Sequence, residues 1–255
     1  MSFYPFAASQ APVTGQSFTP TGLTGATAPS RYAGATTSGA PQSGTFALGD
    51  FVIDESGTIW VCTVAGSPGS WSDVAAARLP GDAADAGFLA WNYDPGPAAT
   101  AGSAPTNNTI LLIRVNVRAP LSCTSVSVFL TATGAGLNSG QNFTGLYNSA
   151  GNLVGTSADQ TAAWGSTGVK TAALAGGPFA LTAGFYWVAL LPNETAGTVP
   201  SFMRTAADVS SSGANIGFTA ATGRWATNTT GTSLPPSITP ASNVLLSLPF
   251  WAALS

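Results

Sequence analysis

Tryptophan and arginine are the residues of this chain best equipped for chemistry, because almost nothing else in it is. Tryptophan occurs seven times, at 60, 71, 91, 164, 187, 225 and 251, and histidine not at all. Without histidine, Ser-His-Asp and Cys-His nucleophilic catalysis lack their base, and the commonest metal ligand is missing. Glycoside hydrolysis would need two carboxylates flanking a bond. The ten acidic residues stand mostly in or beside turn sequences, where aspartate caps the backbone; Asp54 and Glu55 are read as hairpin-turn residues. Asp82 and Asp85 have no oxygen-rich calcium loop around them. No catalytic residue, cofactor or metal site is assigned, and the chain reads as a non-enzyme.

The chemistry left is stacking and hydrogen bonding. Trp164 lies in Ala162-Ala163-Trp164-Gly165-Ser166 and Trp225 in Gly223-Arg224-Trp225-Ala226-Thr227. Both stretches read as Gly/Thr-rich loops, where an indole can act as a platform for a sugar ring. Arg224 would add a hydrogen-bond fork. With asparagine, serine and threonine nearby, this chemistry suits a neutral polysaccharide. Trp187, among apolar residues in mid-strand, is read instead as core.

Those groups sit in an unusual background. Charged residues make up 7% of the chain, against roughly 25% in ordinary soluble domains. Hydrophobic residues reach 45%, the opposite of the low-hydrophobicity, high-charge pattern of disorder. A packed core is therefore expected. Net charge is −3 and the arginines, at 31, 78, 114, 118, 204 and 224, are dispersed. Arg114 and Arg118 could share a strand face, but two cations are too few for a nucleic-acid footprint. Cys62 and Cys123 read as small buried hydrophobes, with a disulfide as the lesser alternative; no zinc-type spacing exists. The N-terminus lacks the charged and apolar regions of a signal peptide. No run approaches the ~18 apolar residues of a membrane span. Synthesis in the cytoplasm without membrane insertion is expected.

The elements that must carry these residues read as strands, so the fold class is all-β. Residues 1–44 are rich in Gly, Pro, Ser and Thr and read as an extended attachment arm. Residues 45–74 read as a small β module: Phe51-Val52-Ile53, a turn at Asp54-Glu55-Ser56-Gly57, the return strand from Ile59 to Val64, and a second turn before Trp71. Residues 75–105 read as a linker, and the apolar patch from Phe88 to Tyr93 within it is a candidate first strand of the main domain. Residues 106–255, that main domain, read as a β-sandwich of jelly-roll type. There Leu111, Ile113, Val115 and Val117 alternate with outward Arg114, Asn116 and Arg118. Phe143 to Tyr147 and Asn152 to Val154 make a hairpin, and Phe185 to Leu191 a central strand. Ile216 to Phe218 and Asn243 to Leu254 supply further strands.

The segment Gly49-Asp50-Phe51-Val52-Ile53-Asp54, Gly57-Thr58-Ile59-Trp60-Val61-Cys62 and Ala65-Gly66-Ser67-Pro68-Gly69-Ser70-Trp71 resembles a short module of tail-fibre and minor virion proteins of tailed bacteriophages, particularly those of actinobacterial hosts. The lead-in from Pro29 to Pro41 fits that setting, and the main domain looks like sandwich domains appended to the same proteins. The resemblance implies a virion structural protein of tail-fibre or minor tail type, forming homotrimers. It would be anchored to other virion proteins through the arm and would face a host surface polysaccharide with the sandwich. Capsid decoration or a head fibre is the alternative. The Gly-Asp-x-Val, Gly-x-x-Trp and Pro-Gly-x-Trp spacing is also similar to small chitin- and cellulose-binding modules. That second likeness makes Trp60 and Trp71 candidate sugar platforms, and a free carbohydrate-binding module a second alternative. The competing reading is that both tryptophans form the mini-core of a tiny domain.

Overall fold

The computed structural model describes residues 32–74, 82–96, 102–206 and 210–255. The chain divides into two units at Leu79 and Pro80, and the all-β class expected from the sequence is observed. The described strands are β1 (Tyr32–Thr36), β2 (Phe51–Asp54), β3 (Ile59–Val64) and β4 (Ser70–Asp73) in the first unit. The second holds β5 (Ala90–Trp91), β6 (Thr109–Val117), β7 (Leu121–Cys123), β8 (Ser125–Ala132), β9 (Ala135–Leu137), β10 (Phe143–Asn148), β11 (Leu153–Thr156) and β12 (Gly168–Ala173). It continues with β13 (Phe179–Leu181), β14 (Gly184–Leu191), β15 (Glu194–Thr198), β16 (Ser201–Phe202), β17 (Trp225–Thr230), β18 (Val244–Leu245) and β19 (Ala253–Leu254).

In the first unit the four strands form one sheet in the order β1-β2-β3-β4. The alternation of Phe51-Val52-Ile53 places Val52 inward beside Cys62, and both are buried. The Asp54 turn reverses the chain, and β3 pairs antiparallel with both β2 and β4. Strand β1 corrects the sequence reading, which placed these residues in the arm. It pairs parallel with β2, Tyr32 opposite Phe51, and the two rings meet at 5.4 Å. A parallel neighbour has no hairpin turn to announce it, and Tyr-Ala-Gly-Ala-Thr is a weak strand sequence. The remainder of the expected arm, residues 1–31, lies outside the described residues.

In the second unit two antiparallel sheets face one another. One runs β11-β10-β14-β6-β17-β18; the other runs β12-β8-β19-β5, with β16 also paired to β8. With six and five strands they outnumber those of a simple jelly roll. The core between them takes Leu111, Ile113, Val115 and Val117 from β6, and Val126, Val128 and Leu130 from β8, matching the period-two pattern of the sequence. Strand β14 lies between β10 and β6, the central position its apolar run implies. The patch from Phe88 to Tyr93 is an integral edge of this unit: β5 pairs with β19, and Asn92 Nδ2 donates to the Phe250 carbonyl at 2.6 Å.

The six-stranded sheet is also buried on part of its outer face. There Ile110, Leu112, Tyr147, Ala189 and Leu191 pack under Leu234 and Ile238. The covering segment is pinned by Tyr147 Oη donating to the Pro235 carbonyl at 2.7 Å and by the Leu153 N–H donating to Pro236. Both cysteines are buried and free.

Candidate functional site

Two of the sequence-derived platforms are corrected by burial. Trp164 is 0% exposed, in a one-turn 3-10 segment, Ala163–Gly165. Its ring meets Phe202 edge-on at 5.4 Å. Trp225 is 9% exposed, opens β17 and donates its indole N–H to the Phe250 carbonyl at 2.8 Å. Neither ring presents a face to a sugar. The short turn around Trp164 lays its ring into the core beside Phe202, and Trp225 points inward from the first residue of β17. Trp187 is core as expected, and its indole N–H donates to the Gly223 carbonyl at 3.0 Å.

Trp60 and Trp71 are half-buried on the first unit, and both indole N–H groups are engaged within it. Trp60 donates to Asp54 Oδ2 at 3.1 Å and Trp71 to the Pro68 carbonyl at 2.9 Å. Trp71 also meets Phe46 edge-on at 4.8 Å. The two rings brace the module's turns in the manner of a small core.

Asp54 is the hub of that bracing. It accepts from Ser56 Oγ and N, Thr58 N, Gly39 N and Trp60 Nε1. The bonds from Ser56, then Trp60, hold its carboxyl well below the usual range, against the opposing effect of burial. This is turn chemistry, with the carboxylate oxygens directed at the protein's own donors.

Arg224 is different. It is exposed, and the structure surrounds it with residues the sequence reading had not joined to it. Trp225 pairs with Ile113, so Arg224 stands beside Arg114, whose N–H donates to the Arg224 carbonyl at 2.8 Å. Trp187 pairs with Arg114 and Phe185 with Asn116, so these side chains share the outer face of the six-stranded sheet. The Arg114 guanidinium carbon lies 4.0 Å from the Phe185 ring centre and 4.7 Å from that of Phe218. Arg224 lies 4.7 Å from the same Phe218 ring.

The platform is held from below. Arg114 Nη1 donates to the Thr222 carbonyl at 2.7 Å and Nε to Asn116 Oδ1 at 3.1 Å. Asn215 Oδ1 accepts the Arg224 N–H at 2.7 Å, and Thr219 and Thr222 cap each other. Burial first, and the charge of Arg224 second, push the Arg114 guanidinium below its ordinary range. No carboxylate pairs with either arginine among the described residues. Each cation–ring stack contributes roughly 0.5–1 kcal/mol at an exposed site, which works against the mutual repulsion of the two cations.

The sequence did signal Arg114 as outward-facing and Arg224 as a hydrogen-bonding fork, but not that strand register makes them neighbours. Phe218 was expected in a strand; it stands in a loop after the single helical turn Ser211–Ala214, beside Ile216, which is 76% exposed. A second surface feature is an open cleft of about 590 Å³ lined by Asn228, Thr229, Pro235, Ser237, Ile238, Thr239 and Ser242. It offers hydroxyls and an amide but no aromatic ring and no charge, so the arginine–aromatic platform is the better equipped of the two. No protein-family model matches this chain, and no curated protein matches it significantly.

Proposed function

We propose that this chain is a non-enzymatic virion structural protein of tail-fibre or minor tail type, whose sandwich recognises a host surface through the arginine–aromatic platform. The observation that carries the recognition half is the platform itself: two rings and two guanidinium groups gathered on one sheet face, without a carboxylate partner among the described residues. The virion half draws on the resemblance of residues 49–71 to phage fibre modules and on the order of small module and large sandwich. In this reading the N-terminal arm attaches to other virion proteins.

Mass spectrometry and antibody labelling of purified phage particles test the virion half. The chain is expected in the particle, and labelling at tail or head separates the fibre reading from capsid decoration. Its absence from particles would overturn the proposal. For the recognition half, purified protein is expected to compete with particles for adsorption to host cells.

A further inference from the structure

The ligand chemistry is set by how the two arginines are placed. They face one another where the chain enters β17 beside β6, joined by the Arg114 N–H to Arg224 carbonyl bond, with both side chains against Phe218. Like charges directly opposite in a sheet destabilise it. Here the pair stands without a counter-ion among the described residues, in a chain with only seven cationic side chains in all. Arg114 commits Nε and Nη1 to Asn116 and Thr222 and keeps its other donors. The guanidinium of Arg224 makes no hydrogen bond among the described residues.

We propose that Arg114, Arg224 and Phe218 bind a sugar ring bearing a carboxylate, so that the platform reads an acidic rather than a neutral polysaccharide. The inference rests on the surface-recognition reading above and names its ligand. A carboxylate accepts two parallel N–H bonds from a guanidinium and supplies the missing counter-charge. The half-buried rings of Phe185 and Phe218 carry the guanidinium groups against them and so hold the fork where a carboxylate can reach it. A neutral sugar would leave the two cations uncompensated. The site is organised before the ligand arrives. Thr222 and Gly223 are fixed by Arg114 and Trp187, and the Arg224 backbone by Asn215, so little ordering entropy is lost on binding.

The test is isothermal titration of the full-length protein with tetragalacturonate, with its fully methyl-esterified form, and with inorganic phosphate. The ester keeps the ring and removes the charge. The acid is expected to bind at least about tenfold more tightly than the ester, and Arg224→Gln to weaken it by about tenfold, as loss of one charge-assisted bond implies. Added salt should weaken the acid and leave the ester unchanged. Arg224 is exposed, so its variant is expected to keep the parental melting temperature, the lost stack on Phe218 and the relieved repulsion acting in opposite directions. Arg114→Gln is a second variant, read only if it melts normally. Equal affinity for acid and ester overturns the proposal, as does phosphate binding as tightly as the tetramer. A change in oligomer mass on Arg224→Gln also overturns it, since the counter-charge would then come from a second copy. If competition for host cells persists unchanged in Arg224→Gln while tetragalacturonate fails to bind, the acidic ligand is wrong and surface recognition stands.

Discussion

The indole N–H of Trp60 points into the turn that precedes its own strand and donates to Asp54 Oδ2 at 3.1 Å. One carboxylate thereby joins the loop at Gly39, the hairpin turn at Ser56 and Thr58, and a ring on β3. The bond turns an aromatic that could have served a sugar into a brace for the module.

Asp54 gives the module a defined response to acid. Its folded pKa lies below the unfolded value, so its contribution is complete above about pH 4 and is lost as pH falls below that range. The Trp60 indole resonance should shift as the carboxyl protonates, and the module should loosen in the same interval. In Asp54→Asn the module should be weaker at neutral pH and its stability should lose this pH dependence. An unchanged acid transition in the variant would contradict the assignment.

Burial predicts that Trp164 and Trp187 behave alike. Replacement of either by alanine should destabilise the second unit by about 3–5 kcal/mol, read as a lowered urea midpoint. Trp164→Ala leaving the midpoint unchanged would return that residue to the surface.

Tyr147→Phe tests the cover on the outer sheet face. Losing the bond to the Pro235 carbonyl should cost about 0.5–1.5 kcal/mol. Hydrogen exchange should accelerate at the Leu153 and Ile238 amides, which bond to Pro236 and Gly151, and much less at Val188 in the central strand.

Light scattering on the full-length chain should give the mass of a homotrimer. A fibre-type protein resembling this segment is expected to trimerise, and a surface with so few charges can be buried without stranding ions. A monomer at high concentration would contradict the homotrimer that the resemblance implies.

Strands with a clean two-residue period were legible in the sequence. Leu111, Ile113, Val115 and Val117 point into the core as read, and the hairpin of β10 and β11 closes where Asn148 and Gly151 indicate. The elements that were not legible depend on partners distant in sequence. Strand β1 is defined by its parallel neighbour, and β17, Trp-Ala-Thr-Asn-Thr-Thr, by its pairing to β6 and β18. Trp164 and Trp225 were misplaced because a glycine-rich stretch looks like a loop whether its one large residue faces solvent or plugs the core. The arginine pair was hidden for a similar reason: residues 114 and 224 meet only once the register of β6 and β17 is known.

The direction of β1 has a mechanical consequence. It runs parallel to β2, and two antiparallel reversals bring β4 back to the same heading. Tension applied at Tyr32 and at Asp73, the outer ends of the sheet's two edge strands, therefore pulls them in opposite senses along their length. The ladder bonds lie across that line of force, so they share the load and must fail together. An antiparallel β1 would instead have been peeled away one bond at a time.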